Sequence, residues 1–115
     1  MLNQFSLKSW MQKKRIYQYE GLLTIKKSRI LKENSMPKDD ILPWLFLVLD
    51  QKGERRFTFF YIIEQQAESF YEKPFNILMS FIIDEMEKVI ELNRIYDVWR
   101  GEEFIGNVKI IRILE

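Results

Sequence analysis

The stretch Pro74-Phe75-Asn76-Ile77-Leu78-Met79-Ser80-Phe81-Ile82-Ile83-Asp84-Glu85-Met86-Glu87-Lys88-Val89-Ile90-Glu91-Leu92 decides the fold class. Phe75, Leu78, Met79, Ile82, Met86 and Val89 recur at helical spacing and make one apolar face. Asp84, Glu85, Glu87, Lys88 and Glu91 supply a wet side. Pro74 suits a first helical turn, where its missing N–H would go unpaired anyway. Ile77, Phe81 and Ile83 widen the apolar surface beyond one stripe. The spacing predicts a long helix over about 74–92.

Working outward, strands flank that segment on both sides. Trp44–Leu49 is a continuous apolar run, and Phe57–Ile63 is another, broken only by Thr58. Between them Asp50-Gln51-Lys52-Gly53 has type I turn chemistry, so the two runs read as a hairpin. Being apolar on both faces, they belong at the middle of a covered sheet. Downstream, Ile95–Trp99 and Val108–Leu114 read as a second hairpin, with Gly101-Glu102 as its turn and Gly106 as a bulge. Upstream, Arg15–Leu31 alternates as an extended segment with a bend at Gly21. Lys32–Asp40 is a proline-bearing loop, Glu64–Lys73 a loop or short helix, and residues 1–14 a short helix or an arm.

These readings predict an α+β fold. It is a single small domain spanning 1–115, with a mostly antiparallel sheet of about four to five strands packed on one long helix. The order of elements is similar to several small bacterial α+β folds, secretion chaperones and immunity proteins among them, without the diagnostic residues of any.

The chain has 115 residues, 47% hydrophobic and 30% charged, which is the composition of one soluble globular domain rather than a disordered chain. It has no Cys and no His. Thiol and Ser-His-Asp nucleophiles, disulfides, zinc fingers and Cys-ligated clusters are thereby excluded. No secretory signal opens the chain, and no apolar run is long enough to span a bilayer, so a cytoplasmic location is expected. An abundance of Ile, Lys and Phe beside a lone alanine, Ala67, points to AT-rich codons and a low-GC bacterium or its phage.

Charge is polarised along the chain. Residues 1–38 carry nine basic groups against two acidic ones, net +7, and residues 39–115 are net −6. Trp10, Lys13, Lys14, Arg15, Tyr17, Tyr19, Lys26, Lys27 and Arg29 interleave cations with aromatics. Phosphate neutralisation plus base stacking would use that pattern. Lysines on an exposed strand are equally an ordinary defence against edge pairing. An acidic helix could also neutralise them within the fold. The carboxylates Asp39-Asp40, Asp84-Glu85-Glu87-Glu91 and Glu102-Glu103 match neither a calcium loop nor a phosphate-binding loop, and read as solvated charge.

Aromatic residues are 15% of the chain, more than a small core needs, and Trp10 and Trp44 flank loops or weakly patterned segments. The resulting expectation is a non-enzymatic protein-binding module of inhibitor, chaperone, immunity or adaptor type. It has no catalytic residue, metal or cofactor. Its partner-binding residues are Trp10, Lys13, Lys14, Arg15, Tyr17, Tyr19, Lys26, Lys27, Arg29 and Trp44. The partner is another protein or a second copy in a homodimer, not a membrane. Nucleic-acid binding through the basic first third is the alternative.

Overall fold

A computed structural model of the chain describes residues 17–29, 36–38, 40–48, 56–81 and 89–114; within 40–48 it describes the side chains of Leu45 and Leu47. The strands are β1 (Tyr19–Ile25), β2 (Asp40–Val48), β3 (Arg56–Ile63), β4 (Phe75–Phe81), β5 (Ile95–Arg100) and β6 (Glu103–Ile113). They pair in the order β1-β4-β3-β2-β5-β6, and β1 pairs with β6 to close the ring. Every pairing is antiparallel.

Alternation builds the core. Tyr96 and Val98 of β5 and Val108 and Ile110 of β6 point inward with polar residues between them, while β3 buries Phe59, Phe60 and Tyr61 in succession. Leu23, Leu45, Leu47, Ile77 and Met79 complete the interior at zero exposure. An eight-stranded barrel is just wide enough to be filled by its own side chains, so a six-stranded one is solid. The barrel is a scaffold, not a container.

The long helix is not formed. Residues 75–81, its first half, are strand β4, while residues 82–88 lie outside the described residues. Among the described residues the only helical turn is a short 3-10 turn at Gln66–Glu68. Over the described residues the fold is therefore all-β, with six strands where four or five are expected, and the α+β expectation is corrected. The reason is that Phe75, Ile77, Met79 and Phe81 are buried at period two. β4 lies between β1 and β3, so its backbone has ladder partners on both sides. Tertiary pairing outweighs a local spacing that fits either period.

Local turn chemistry is found where it was expected. Gly101-Glu102 joins β5 to β6, with Gly101 at φ +59°. A register shift between Val98 and Trp99 leaves Ile105 as the extra residue beside Gly106. A Cβ on Gly106 would stand 1.9 Å from the Thr24 carbonyl oxygen, so β1 and β6 approach there as only glycine allows. The Asp50–Gly53 turn falls outside the described residues. β2 and β3 pair as predicted, but a closed ring gives them no central place in a sheet.

Among the described residues no helix is long and apolar enough to cross a membrane.

Candidate functional site

Because the interior is filled, any recognition surface lies outside, and the features that stand out cluster at one rim. Three connections meet there: the chain leaving β1, the β3–β4 connection and the β5–β6 turn. Beyond Ile25 the chain stays on the barrel, since the Lys26 N–H donates to the Ile105 carbonyl at 2.9 Å. The Glu72 N–H donates to the Ile25 carbonyl at 2.8 Å, which seats the β3–β4 connection on the opposite side of β1. The Gln66 amide of that connection donates to the Pro37 carbonyl at 2.6 Å, and the Tyr61 hydroxyl of β3 donates to the Lys38 carbonyl at 2.8 Å.

One wall of the rim is aromatic. Period two turns Tyr96 and Val98 inward and Trp99 outward, and the two-residue turn brings Phe104 opposite it. The rings meet edge to face, 6.0 Å between centroids. Arg56 reaches over from β3, its guanidinium 4.8 Å from the centre of the Trp99 ring. Its Nη1 donates to the Gly101 carbonyl at 3.2 Å and pairs with Glu102 at 3.3 Å. Phe104 remains 45% exposed, an apolar ring that follows Glu102 and Glu103 in the chain.

The other wall is cationic. Lys26 is half-buried, and Lys27 and Arg29 are exposed. Lys27 Nζ lies 5.8 Å from the centre of the Tyr71 ring, and Lys73 stands 5.9 Å from Phe70, itself 46% exposed. Glu103 fastens the two walls together: the Ser28 hydroxyl donates to one carboxylate oxygen at 2.5 Å and the Arg29 N–H to the other at 2.8 Å. Those two bonds, the Ser28 one foremost, hold the Glu103 carboxyl below its ordinary range.

A second polar cluster lies on the outer wall. Glu20 is nearly buried, its carboxylate 2.5 Å from Arg112 Nη2 and accepting from the Asn76 amide at 3.1 Å. Glu64 adjoins it. Desolvation, followed by the charge of Glu20, pushes the Glu64 carboxyl up. The cluster closes on itself through Arg112 and ties β1, β4 and β6 together. Among the described residues no group of three or more Asp, Glu, His or Cys side chains is placed to hold a metal ion. Glu102 and Glu103 diverge, one to Arg56 and one to Ser28.

The predicted site residues do not form one surface. Trp10, Lys13, Lys14 and Arg15 lie outside the described residues, as does the side chain of Trp44, whose backbone is in β2. Tyr19 is a core residue at 3% exposure, edge-on to Phe81 at 5.8 Å, and Tyr17 is half-buried just ahead of it. Both stand at the far end of β1 from Lys26, Lys27 and Arg29. Those three cations are brought together, but beside Tyr71, Phe70 and Phe104, which the sequence reading left out along with Trp99 and Arg56. Strand alternation in Ile95–Trp99 carried the signal for Trp99, and the two-residue turn the signal for Phe104.

Comparison with family models, with curated proteins and with solved structures returned no match.

Proposed function

We propose that this chain is a non-enzymatic protein-binding module that engages its partner through the rim where β1 ends and β6 begins. The observation that carries the reading is Phe104, nearly half exposed and backed by Trp99 and Arg56. Tryptophan, tyrosine and arginine are the residue types that dominate interface energetics, and an apolar ring within a polar surround is the usual anatomy of a contact centre. The closed ring supports side-chain recognition. Each described strand has two neighbours, which disfavours the addition of a partner strand to the ring.

The test is affinity capture with the tagged full chain, with and without nuclease, beside a Phe104→Glu variant. Phe104 faces solvent, so its replacement is expected to leave the unfolding midpoint close to that of the unaltered chain. The expected result is a stoichiometric protein that survives nuclease and is lost with Phe104→Glu. Recovery that collapses with nuclease would transfer the function to nucleic acid, and capture indifferent to Phe104→Glu would remove the rim from it.

A further inference from the structure

The protein-binding reading leaves the chemistry of the partner unassigned, and the rim's charges supply it. Resting on that reading, we infer that the rim receives a short acidic protein segment. Its carboxylates meet Lys26, Lys27 and Arg29, and an apolar neighbour lies against Phe104.

Among the described residues none of these three cations has a carboxylate within ion-pairing distance. Glu103, the acid nearest them, is engaged by Ser28 and the Arg29 N–H. One ordinary explanation for such a run fails on this fold: lysines guard open sheet edges, but β1 is paired on both sides. The result is a positive patch, offset in part by the nearby Glu103 carboxylate and lying by the half-exposed rings Phe70 and Phe104, which complements a segment with negative and apolar groups side by side.

The same geometry disfavours a polynucleotide. Base stacking needs a free ring face, and one face each of Tyr71, Phe70 and Trp99 is already occupied by a cation of this chain. A phosphate backbone also needs a continuous cationic track. Here the patch is one short segment bounded by Glu72 on one side and Glu103 on the other. Discrete carboxylates fit between such acids, whereas a continuous polyanion meets them.

Fluorescence anisotropy on the full chain tests this with four labelled probes. They are a short Asp/Glu peptide with one central Leu, its Leu→Ser version, its charge-inverted version, and an oligothymidylate of similar length. The acidic Leu peptide is expected to bind, the charge-inverted one not, and affinity to fall as salt rises. Lys27→Glu/Arg29→Glu, both at exposed positions, is expected to weaken binding about tenfold. Lys26→Gln, the milder change at a half-buried site, is expected to weaken it by a smaller factor. Phe104→Ala should weaken the Leu peptide and leave the Ser peptide unchanged. Tighter binding of oligothymidylate, or indifference to the charge reversals, would overturn the inference. If Phe104→Glu abolishes protein capture while the charge reversals alter neither capture nor peptide binding, the acidic-segment inference fails and the protein-binding reading stands. If the unaltered chain captures no protein, the reading itself fails.

Discussion

Replacing Gly106 by alanine is the sharpest test of how the ring closes. The new Cβ would stand 1.9 Å from the Thr24 oxygen and 2.9 Å from both Thr24 C and Ile25 Cα, all backbone atoms. Ordinary contact begins near 3.4 Å, so β1 would have to retreat about 1.5 Å from β6. No rotamer relieves a clash with backbone. The retreat would stretch the 2.9 Å bond from Lys26 N to the Ile105 oxygen beyond hydrogen-bonding range, together with its neighbour in the ladder. Two backbone bonds at about 1 kcal/mol each, plus about 1–3 kcal/mol for overpacking, give a loss of about 3–5 kcal/mol. In a domain of this size that lowers the unfolding midpoint by about 12–20 °C. Gly101→Ala is the control. At φ +59° with nothing within 4 Å of its Cβ, it bears only the left-handed conformational cost, about 1 kcal/mol. Gly21→Ala falls between, since its Cβ meets the movable end of Met79 at 2.8 Å and the stiffer Val108 at 2.9 Å. Thermal and urea unfolding followed by circular dichroism would rank the three. If Gly106→Ala were no worse than Gly101→Ala, β1 and β6 would not be paired in the register described, and the closed ring would be wrong.

Two further predictions concern pH. The Glu103 carboxyl is held low by Ser28 and the Arg29 N–H, so its contribution to stability is present above the ordinary value of 4.5 and is lost as pH falls through the depressed one. Glu103→Gln should therefore be less stable than the unaltered chain at neutral pH, with the gap closing in acid, as read by urea midpoints across the acid range. The Glu64 carboxyl is held high by desolvation and then by Glu20, so the folded state binds its proton more tightly, and stability falls as pH rises from 4.5 through the raised value. Glu64→Gln should be the more stable protein at neutral pH and its equal below 4.5; a variant destabilised at neutral pH would show that the Glu64 charge is held favourably by Arg112.

What the sequence disclosed about the fold was what local chemistry decides. A glycine-first two-residue turn at Gly101-Glu102 and the Phe57–Ile63 run each require only near neighbours, and each is found. The sequence of β4 points to a helix because Phe75, Leu78 and Met79 fit one, while Phe75, Ile77, Met79 and Phe81 fit a strand equally well. The tie breaks through Tyr19, which lies opposite Met79, and through Phe59, which lies opposite Phe81; both partners come from distant parts of the chain. Asn76 and Ser80 were the available hint. Asn76 is exposed between the buried Phe75 and Ile77, and both Asn and Ser have weaker helix propensity than the Glu and Lys that follow them.

The candidate site was half legible for a related reason. Lys26, Lys27 and Arg29 are visible as a charge run, but the aromatics nearest them along the chain are Tyr17 and Tyr19. A strand advances about 3.3 Å per residue, so Tyr19 and Lys26 stand roughly 23 Å apart, at opposite ends of the barrel. The true neighbours arrive sideways, through the Lys26–Ile105 and Glu72–Ile25 hydrogen bonds that register alone sets. In a closed antiparallel barrel a rim draws only a few residues from each connection, so no contiguous stretch of sequence can spell a rim site. Closure has a second consequence. With every described strand paired on both sides, recognition by side chains is favoured over the addition of a partner strand. That places the demand on the groups already oriented by the fold: Glu103 fixing the loop that bears Lys27 and Arg29, and Trp99 with Arg56 fixing the ring of Phe104.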